Sequence, residues 1–129
     1  MGFLSNLFGS ENNEQAQFWN TVSEPSDIDA IVMQSMERPQ VILKHSNQCA
    51  TSFFAKKNLE LIPLEDLENA DLYIIDVIRQ RPLSRYLEQK VQVRHESPQL
   101  LVLMNGEVAW HGSHHQVQSE YLLQTLQEV

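Results

Sequence analysis

The sequence predicts an α/β fold, a mixed central sheet with helices on both faces, and three observations carry that prediction. Short apolar runs at Val41 to Leu43, Leu72 to Ile78 and Leu100 to Met104 have the length and content of buried strands. Stretches of helical periodicity separate the first of these strands, so they pair in parallel through right-handed crossovers. The last two strands are joined by Asn105-Gly106, the strongest short-range hairpin signal because both turn residues need positive φ, and they add antiparallel pairing.

Taken in order, residues 1–17 combine an apolar patch (Phe3, Leu4, Leu7, Phe8) with a polar run and read as a tail, leaving a single domain over 18–129. Such a patch fits either a segment docked on its own domain or a contact for a partner or membrane surface. Phe18 to Val22 is a short strand candidate. Ser26-Asp27-Ile28-Asp29 is expected to cap a helix with Ile28, Ile31, Val32 and Met36 on its apolar face, ending before Pro39. Gln40 to His45 is the first buried strand. Ala50 to about Leu61 is a helix beginning near Cys49, with Phe53, Phe54 and Leu61 as its recurring apolar positions. Leu72 to Ile78, apolar on both faces, is expected deep in the sheet. Pro82 opens a helix with Leu83, Tyr86, Leu87 and Val91 on one face. The hairpin spans Gln99 to His111, and Ser113-His114-His115-Gln116 resembles a capping box for a closing helix through Val117, Tyr121, Leu122, Thr125, Leu126 and Val129. This order of elements, βαβ, αβ, α, hairpin and a terminal helix, resembles that of thioredoxins.

Composition narrows the function. A formal charge of −8, from nine Lys plus Arg against seventeen Asp plus Glu with no basic block, argues against a nucleic-acid partner. No apolar run reaches the roughly 18 residues that would span a bilayer, so a transmembrane segment is not expected. The N-terminus lacks the positive region and long hydrophobic region of a secretory signal. With one cysteine, no disulfide framework exists, and the expected compartment is cytoplasmic.

That cysteine, Cys49, follows the short loop His45-Ser46-Asn47-Gln48 between a buried strand and a helix. The first amides of a helix have no intrahelical acceptor, and their field stabilises a thiolate, the nucleophilic form of cysteine. The residues alone leave two readings open, a reactive thiol and a small buried hydrophobe.

Cys49-Ala50-Thr51-Ser52 occupies the place of a thioredoxin Cys-x-x-Cys, with Ser52 where the second cysteine would stand. Lys44-His45-Ser46 leading to Gln48-Cys49-Ala50-Thr51-Ser52, together with Val93-Arg94-His95-Glu96-Ser97-Pro98-Gln99, resembles the bacterial bacillithiol-system redox proteins (YtxJ, the monothiol bacilliredoxins). That family carries a Thr-Cys-Pro-Ile-Ser motif after a Lys-His-Ser strand end. Cys49 and Ser52 match it, and Gln48, Ala50 and Thr51 depart from it.

The resemblance implies a thioredoxin-like fold and a thiol-disulfide oxidoreductase that removes a low-molecular-weight thiol, bacillithiol, from protein mixed disulfides. It implies Cys49 as nucleophile, Ser52 beside it, and Ser97-Pro98, with the proline cis, as the loop presenting backbone to the substrate; His45 and Gln48, in the segment leading to Cys49, are further candidates for the substrate side. No cofactor is expected beyond the small thiol as co-substrate, and the partners are modified proteins and an external reductant. The departures in the motif keep open a thioredoxin-fold binding module without turnover.

Other residues carry weaker signals. Pro98 read alone is also a simple strand-entry proline. His45 and His95 fit either tuning of the thiolate or ordinary strand-end packing, and Lys56 and Lys57 read as a solvated helix face. His111, His114 and His115 lack a completing cysteine or carboxylate, so no metal site is expected. The four glycines are not clustered, and no phosphate-cradling loop is legible.

Overall fold

A computed structural model describes residues 18–129; the N-terminal tail and its apolar patch lie outside the described residues. Five strands, β1 (Asn20–Thr21), β2 (Gln40–His45), β3 (Asp71–Asp76), β4 (Gln99–Met104) and β5 (Glu107–Ser113), form one sheet in the order β1-β3-β2-β4-β5. β3 runs parallel to β1 and β2, while β2–β4 and β4–β5 are antiparallel, so the sheet is mixed as expected. The helices are α1 (Pro25–Gln34), α2 (Ala50–Leu59), α3 (Arg81–Val91) and α4 (Ser119–Glu128), with short 3-10 turns at Leu64–Leu67 and His114–Gln116.

Strand alternation sorts the core into two layers. Val41, Leu43, Leu100 and Val102 face α2 and α4, meeting Ala55, Leu59, Leu122 and Leu126. Ile42, Leu101 and Leu103 face α1 and α3, meeting Ile28, Ile31, Leu83 and Leu87. Every residue of β2 is buried, which its central place requires. β3 is less enclosed than its composition suggests: among the described residues only the two-residue β1 pairs with its other edge, and Tyr73 and Ile74 are half-buried.

Three local expectations are corrected. α1 is capped at Glu24, not at Ser26-Asp27. Pro25, which has no N–H to leave unpaired, takes the first helical position, and Asp27 Oδ2 accepts from the Ser23 and Glu24 amides at 2.9 and 3.0 Å. Those two bonds hold the Asp27 carboxyl below its ordinary range. Met36 falls beyond the helix and is exposed. At the other end, the Ser113–Gln116 pair closes the 3-10 turn, with Ser113 N donating to Gln116 Oε1 at 3.0 Å, and α4 starts only at Ser119.

The third correction concerns α2. Phe53, Phe54 and Leu61 are 49%, 67% and 79% exposed, whereas Ser52, Ala55 and Leu59 are buried. The inward face carries small residues at its start, at three- and four-residue spacing, which lets the helix backbone approach β2 closely and brings Ser52 over His45.

The hairpin turn has its expected form, with Asn105 at φ 58° and Gly106 at φ 82°. Ser35 at the end of α1 fastens it, its carbonyl accepting from Asn105 N at 2.7 Å and its hydroxyl from Gly106 N at 2.9 Å.

Candidate functional site

Cys49 is the N-cap of α2, with extended backbone at φ −119° and ψ 122°, and is half-buried. Its N–H donates to Ser46 O at 3.3 Å and its carbonyl accepts from Phe53 N at 3.0 Å, so the residue closes the loop on one side and opens the helix on the other. The amides of the first turn, which have no acceptor within the helix, follow it directly.

Beneath the loop runs a chain of polar contacts. Ser52 Oγ, fully buried at the third helical position, lies 2.9 Å from His45 Nδ1 and accepts the Ser46 N–H at 3.0 Å. His45 Nε2 lies 2.7 Å from Asn47 Oδ1. Asn47 Nδ2 donates to Asp76 Oδ2 at 3.3 Å, and the other Asp76 oxygen accepts the Ile78 and Arg79 amides at 3.0 Å each. Ser46 Oγ accepts the Gln48 N–H at 3.2 Å. The Ser52 hydroxyl is therefore engaged with His45 and Ser46, and among the described residues no side chain caps α2 by hydrogen bonding at Cys49.

The second segment comes to the same end of the sheet. Lys44 pairs with Gln99 in the β2–β4 ladder, so Ser97 and Pro98, just before Gln99, lie beside the end of β2 from which the Cys49 loop departs. The Ser97-Pro98 peptide is cis, Pro98 is buried, and its carbonyl accepts from His114 N at 2.9 Å. Ser97 Oγ is buried without a hydrogen-bond partner among the described residues. Gln48 is exposed on the loop and helps line a small cavity of about 110 Å³ with Asn47, Asp76, Ile78 and Arg79.

The remaining candidates are placed elsewhere. Alternation along β2 sends Lys44 to the opposite face from His45, toward α3. There His95 Nδ1 lies 3.1 Å from Ser84 Oγ, and its backbone N–H donates to Glu88 Oε2 at 2.8 Å. Burial lowers the Lys44 ammonium to about 8, against the opposing pull of Glu88. Burial also lowers His95, and the positive charge of Lys44 pushes it the same way. His95 thus belongs to the α3 side of the sheet, away from the His45–Ser52 contact. Lys56 is tied to Glu60 at 2.7 Å, and Glu60 also accepts from Trp19 Nε1 at 2.7 Å. His114 Nε2 lies 3.5 Å from Glu96 Oε1, and among the described residues no three His, Cys, Asp or Glu side chains gather as a metal site.

Asn47 and Asp76 are the residues that sequence reasoning does not single out. They lie 29 positions apart and meet only because β2 and β3 are parallel neighbours whose ends align, His45 opposite Asp76. The one local signal is a loop Asn two residues after the strand-end His45.

Comparison with known proteins adds the family. The model of a family described as monothiol bacilliredoxin BrxC matches residues 20–122. Among solved structures, the chain is similar to a candidate oxidoreductase with a thioredoxin fold, at 28% identity and TM-score 0.70, covering 81% of this chain and 90% of that one. It is also similar to mitochondrial thioredoxin 3 of Saccharomyces cerevisiae in its oxidized form (9%, TM-score 0.68, 89% and 99% covered). The thioredoxin of Trypanosoma brucei brucei is a further match (14%, TM-score 0.66, 85% and 88% covered). The last two likenesses concern the fold, and they make it a thioredoxin fold. No helix among the described residues is long and apolar enough to cross a membrane.

Proposed function

This chain belongs to the monothiol bacilliredoxin family, and from that membership we propose that it removes a low-molecular-weight thiol from protein mixed disulfides through Cys49. Family and fold together support a thiol oxidoreductase. The observation that carries the finer reading is the position of Cys49 as N-cap of α2, at the sheet end it shares with the cis Ser97-Pro98 peptide.

In the proposed reaction the Cys49 thiolate attacks the small-thiol sulfur of the mixed disulfide. A new Cys49–small-thiol disulfide forms, the old S–S bond breaks, and the protein sulfur leaves as a thiolate that takes a proton from solvent. Because the sequence holds one cysteine, the adduct has no internal thiol to resolve it. A second small-thiol molecule, or an external reductase, must attack the adduct, free Cys49 Sγ as a thiolate and carry the captured thiol away as a disulfide. Bacillithiol is the small thiol we propose, on family grounds, and the modified proteins are the partners.

The test is reduction of a bacillithiol-modified protein by the wild type and by Cys49→Ser. Release of the small thiol by the wild type and complete loss in Cys49→Ser support the reading. Equal release by both ends it, and failure of the wild type with every small thiol supplied favours a binding module instead.

A further inference from the structure

We propose that Asn47 and Asp76 are positioning residues for the Cys49 thiol: they hold His45 as its Nε2–H tautomer and thereby keep the Ser52 hydroxyl hydrogen on His45. The consequence for exchange rests on Cys49 being the reacting thiol; the tautomer itself follows from the hydrogen bonds alone.

The chain of constraints starts at Asp76. Its Oδ1 is fixed by the Ile78 and Arg79 amides, and its backbone N–H donates to Gln80 Oε1 at 3.0 Å. A carboxylate only accepts, so Asn47 must turn its NH₂ group toward Asp76 Oδ2. That leaves Asn47 Oδ1 facing His45 Nε2 at 2.7 Å, and a carbonyl oxygen can only accept. His45 Nε2 therefore carries a proton. In the neutral ring Nδ1 is then a bare acceptor, and the contact at 2.9 Å is filled by the Ser52 O–H. Ser52 has a single hydroxyl hydrogen, so what it gives to His45 it withholds from every other acceptor.

The other tautomer reverses this. With Nδ1 protonated, His45 would donate to Ser52 Oγ, which already accepts from Ser46 N, and the hydroxyl hydrogen would be free. Ser52 is the third helical residue and Cys49 the N-cap, three positions apart, and side chains at that spacing are neighbours on one face of a helix. The freed hydrogen would then have the Cys49 sulfur as an acceptor. Asp76, acting through Asn47, keeps that arrangement out, and leaves the thiolate to the first-turn amides.

The test uses full-length ¹⁵N-labelled reduced protein. In the wild type the His45 ring shows Nε2 protonated and Nδ1 bare. Asn47→Leu, at an exposed position, removes the acceptor at Nε2; a measurable Nδ1–H population appears, and the pH profile of Cys49 alkylation by iodoacetamide moves to lower pH by about one unit, the size of one hydrogen bond to a thiolate. In Asn47→Leu/Ser52→Ala the alkylation shift disappears, because no hydroxyl remains to be released. A wild-type Nδ1–H tautomer overturns the proposal. So does an unmoved alkylation profile in Asn47→Leu, or a shift that persists in the double variant. None of these readouts needs turnover, so a wild type inactive in exchange sinks the redox reading while leaving the tautomer result standing.

Discussion

His45 and Ser52 meet at 2.9 Å across the junction of β2 and α2, the one on the last residue of a buried strand and the other in the first turn of the following helix. The same Ser52 oxygen accepts the buried Ser46 N–H. Removing the hydroxyl strands two polar groups at once, and a buried donor or acceptor left unpaired costs about 1–3 kcal/mol. Ser52→Ala is accordingly expected to lower unfolding stability in urea by about 2–6 kcal/mol, that cost counted once for each stranded group. Cys49 remains alkylatable in the variant, since its sulfur does not depend on that hydroxyl; loss of all Cys49 reactivity without loss of stability would contradict the assignment.

Lys44 offers a test through pH. Its side chain is 1% exposed, and burial lowers its ammonium from 10.5 to about 8. Between about 8 and 10.5 the unfolded chain binds more protons at this site than the folded one, so the Lys44 contribution makes stability rise with pH across that window and penalises the fold below it. Lys44→Met, close in volume and uncharged, should remove this rise and stabilise the protein at pH 7 by on the order of 3 kcal/mol. Tyr73 and Tyr86, both raised, titrate with the opposite sign above about pH 10, and the difference between wild type and variant cancels them. A wild-type pH slope retained in Lys44→Met refutes the assignment.

The same substitution reads out on His95. Burial lowers this imidazole first, and the neighbouring Lys44 charge adds to it, partly opposed by Glu88 and Glu96. An NMR titration should place the His95 midpoint below 6.5 in the wild type and move it upward in Lys44→Met, because a positive neighbour is gone while the burial remains. No upward movement means that the two charges do not sense each other across the α3 face.

These groups also mark where the sequence is legible. Val41-Ile42-Leu43 and the Asn105-Gly106 turn are local signals, and the structure places β2 and the hairpin where those residues predict. The face of α2 is different. Phe53 and Phe54 look like core by hydropathy, yet the strand-end His45 draws Ser52 inward, and with Ser52 fixed the small Ala55 and the Leu59 must follow on the same face. At α1, Pro25 and Asp27 together outweigh Ser26 as a starting signal, which moves the cap back to Glu24. Asn47 and Asp76 are invisible in the sequence for a topological reason: their contact exists only once β2 and β3 lie side by side.

That reassigned α2 face makes its own prediction. Phe54 is 67% exposed and Leu59 fully buried against the sheet, the reverse of what residue size alone suggests for their importance. Phe54→Ser should change unfolding stability by no more than about 0.5 kcal/mol, as exposed substitutions usually do. Leu59→Ala should cost about 2–5 kcal/mol through lost burial and the cavity left behind. Denaturant unfolding of the two variants checks the face directly, and a larger loss in Phe54→Ser would return Phe54 to the core.

Ser52→Cys carries the single-thiol argument furthest. The substitution places a thiol three residues after Cys49, in the spacing from which a helix-start pair closes a disulfide. It also places that thiol where the Ser52 hydroxyl now meets His45 Nδ1. In the Nε2–H tautomer Nδ1 is an acceptor and can take the proton of the introduced thiol, generating the thiolate that attacks Cys49 Sγ of the captured adduct. An internal disulfide then forms and the small thiol leaves as a thiolate. The wild type, with one cysteine, must keep the small thiol until an external thiol arrives. Intact-protein mass spectrometry after a single exposure to a mixed-disulfide substrate separates the two: the wild type gains the mass of the small thiol, and Ser52→Cys loses two hydrogens and carries no adduct. The variant forgoes the Ser46 N–H bond, so a stability loss like that of Ser52→Ala accompanies the gain. A stable small-thiol adduct on folded Ser52→Cys would mean that position 52 does not face the Cys49 sulfur, and the proposed release of the Ser52 hydroxyl toward that sulfur would fall with it.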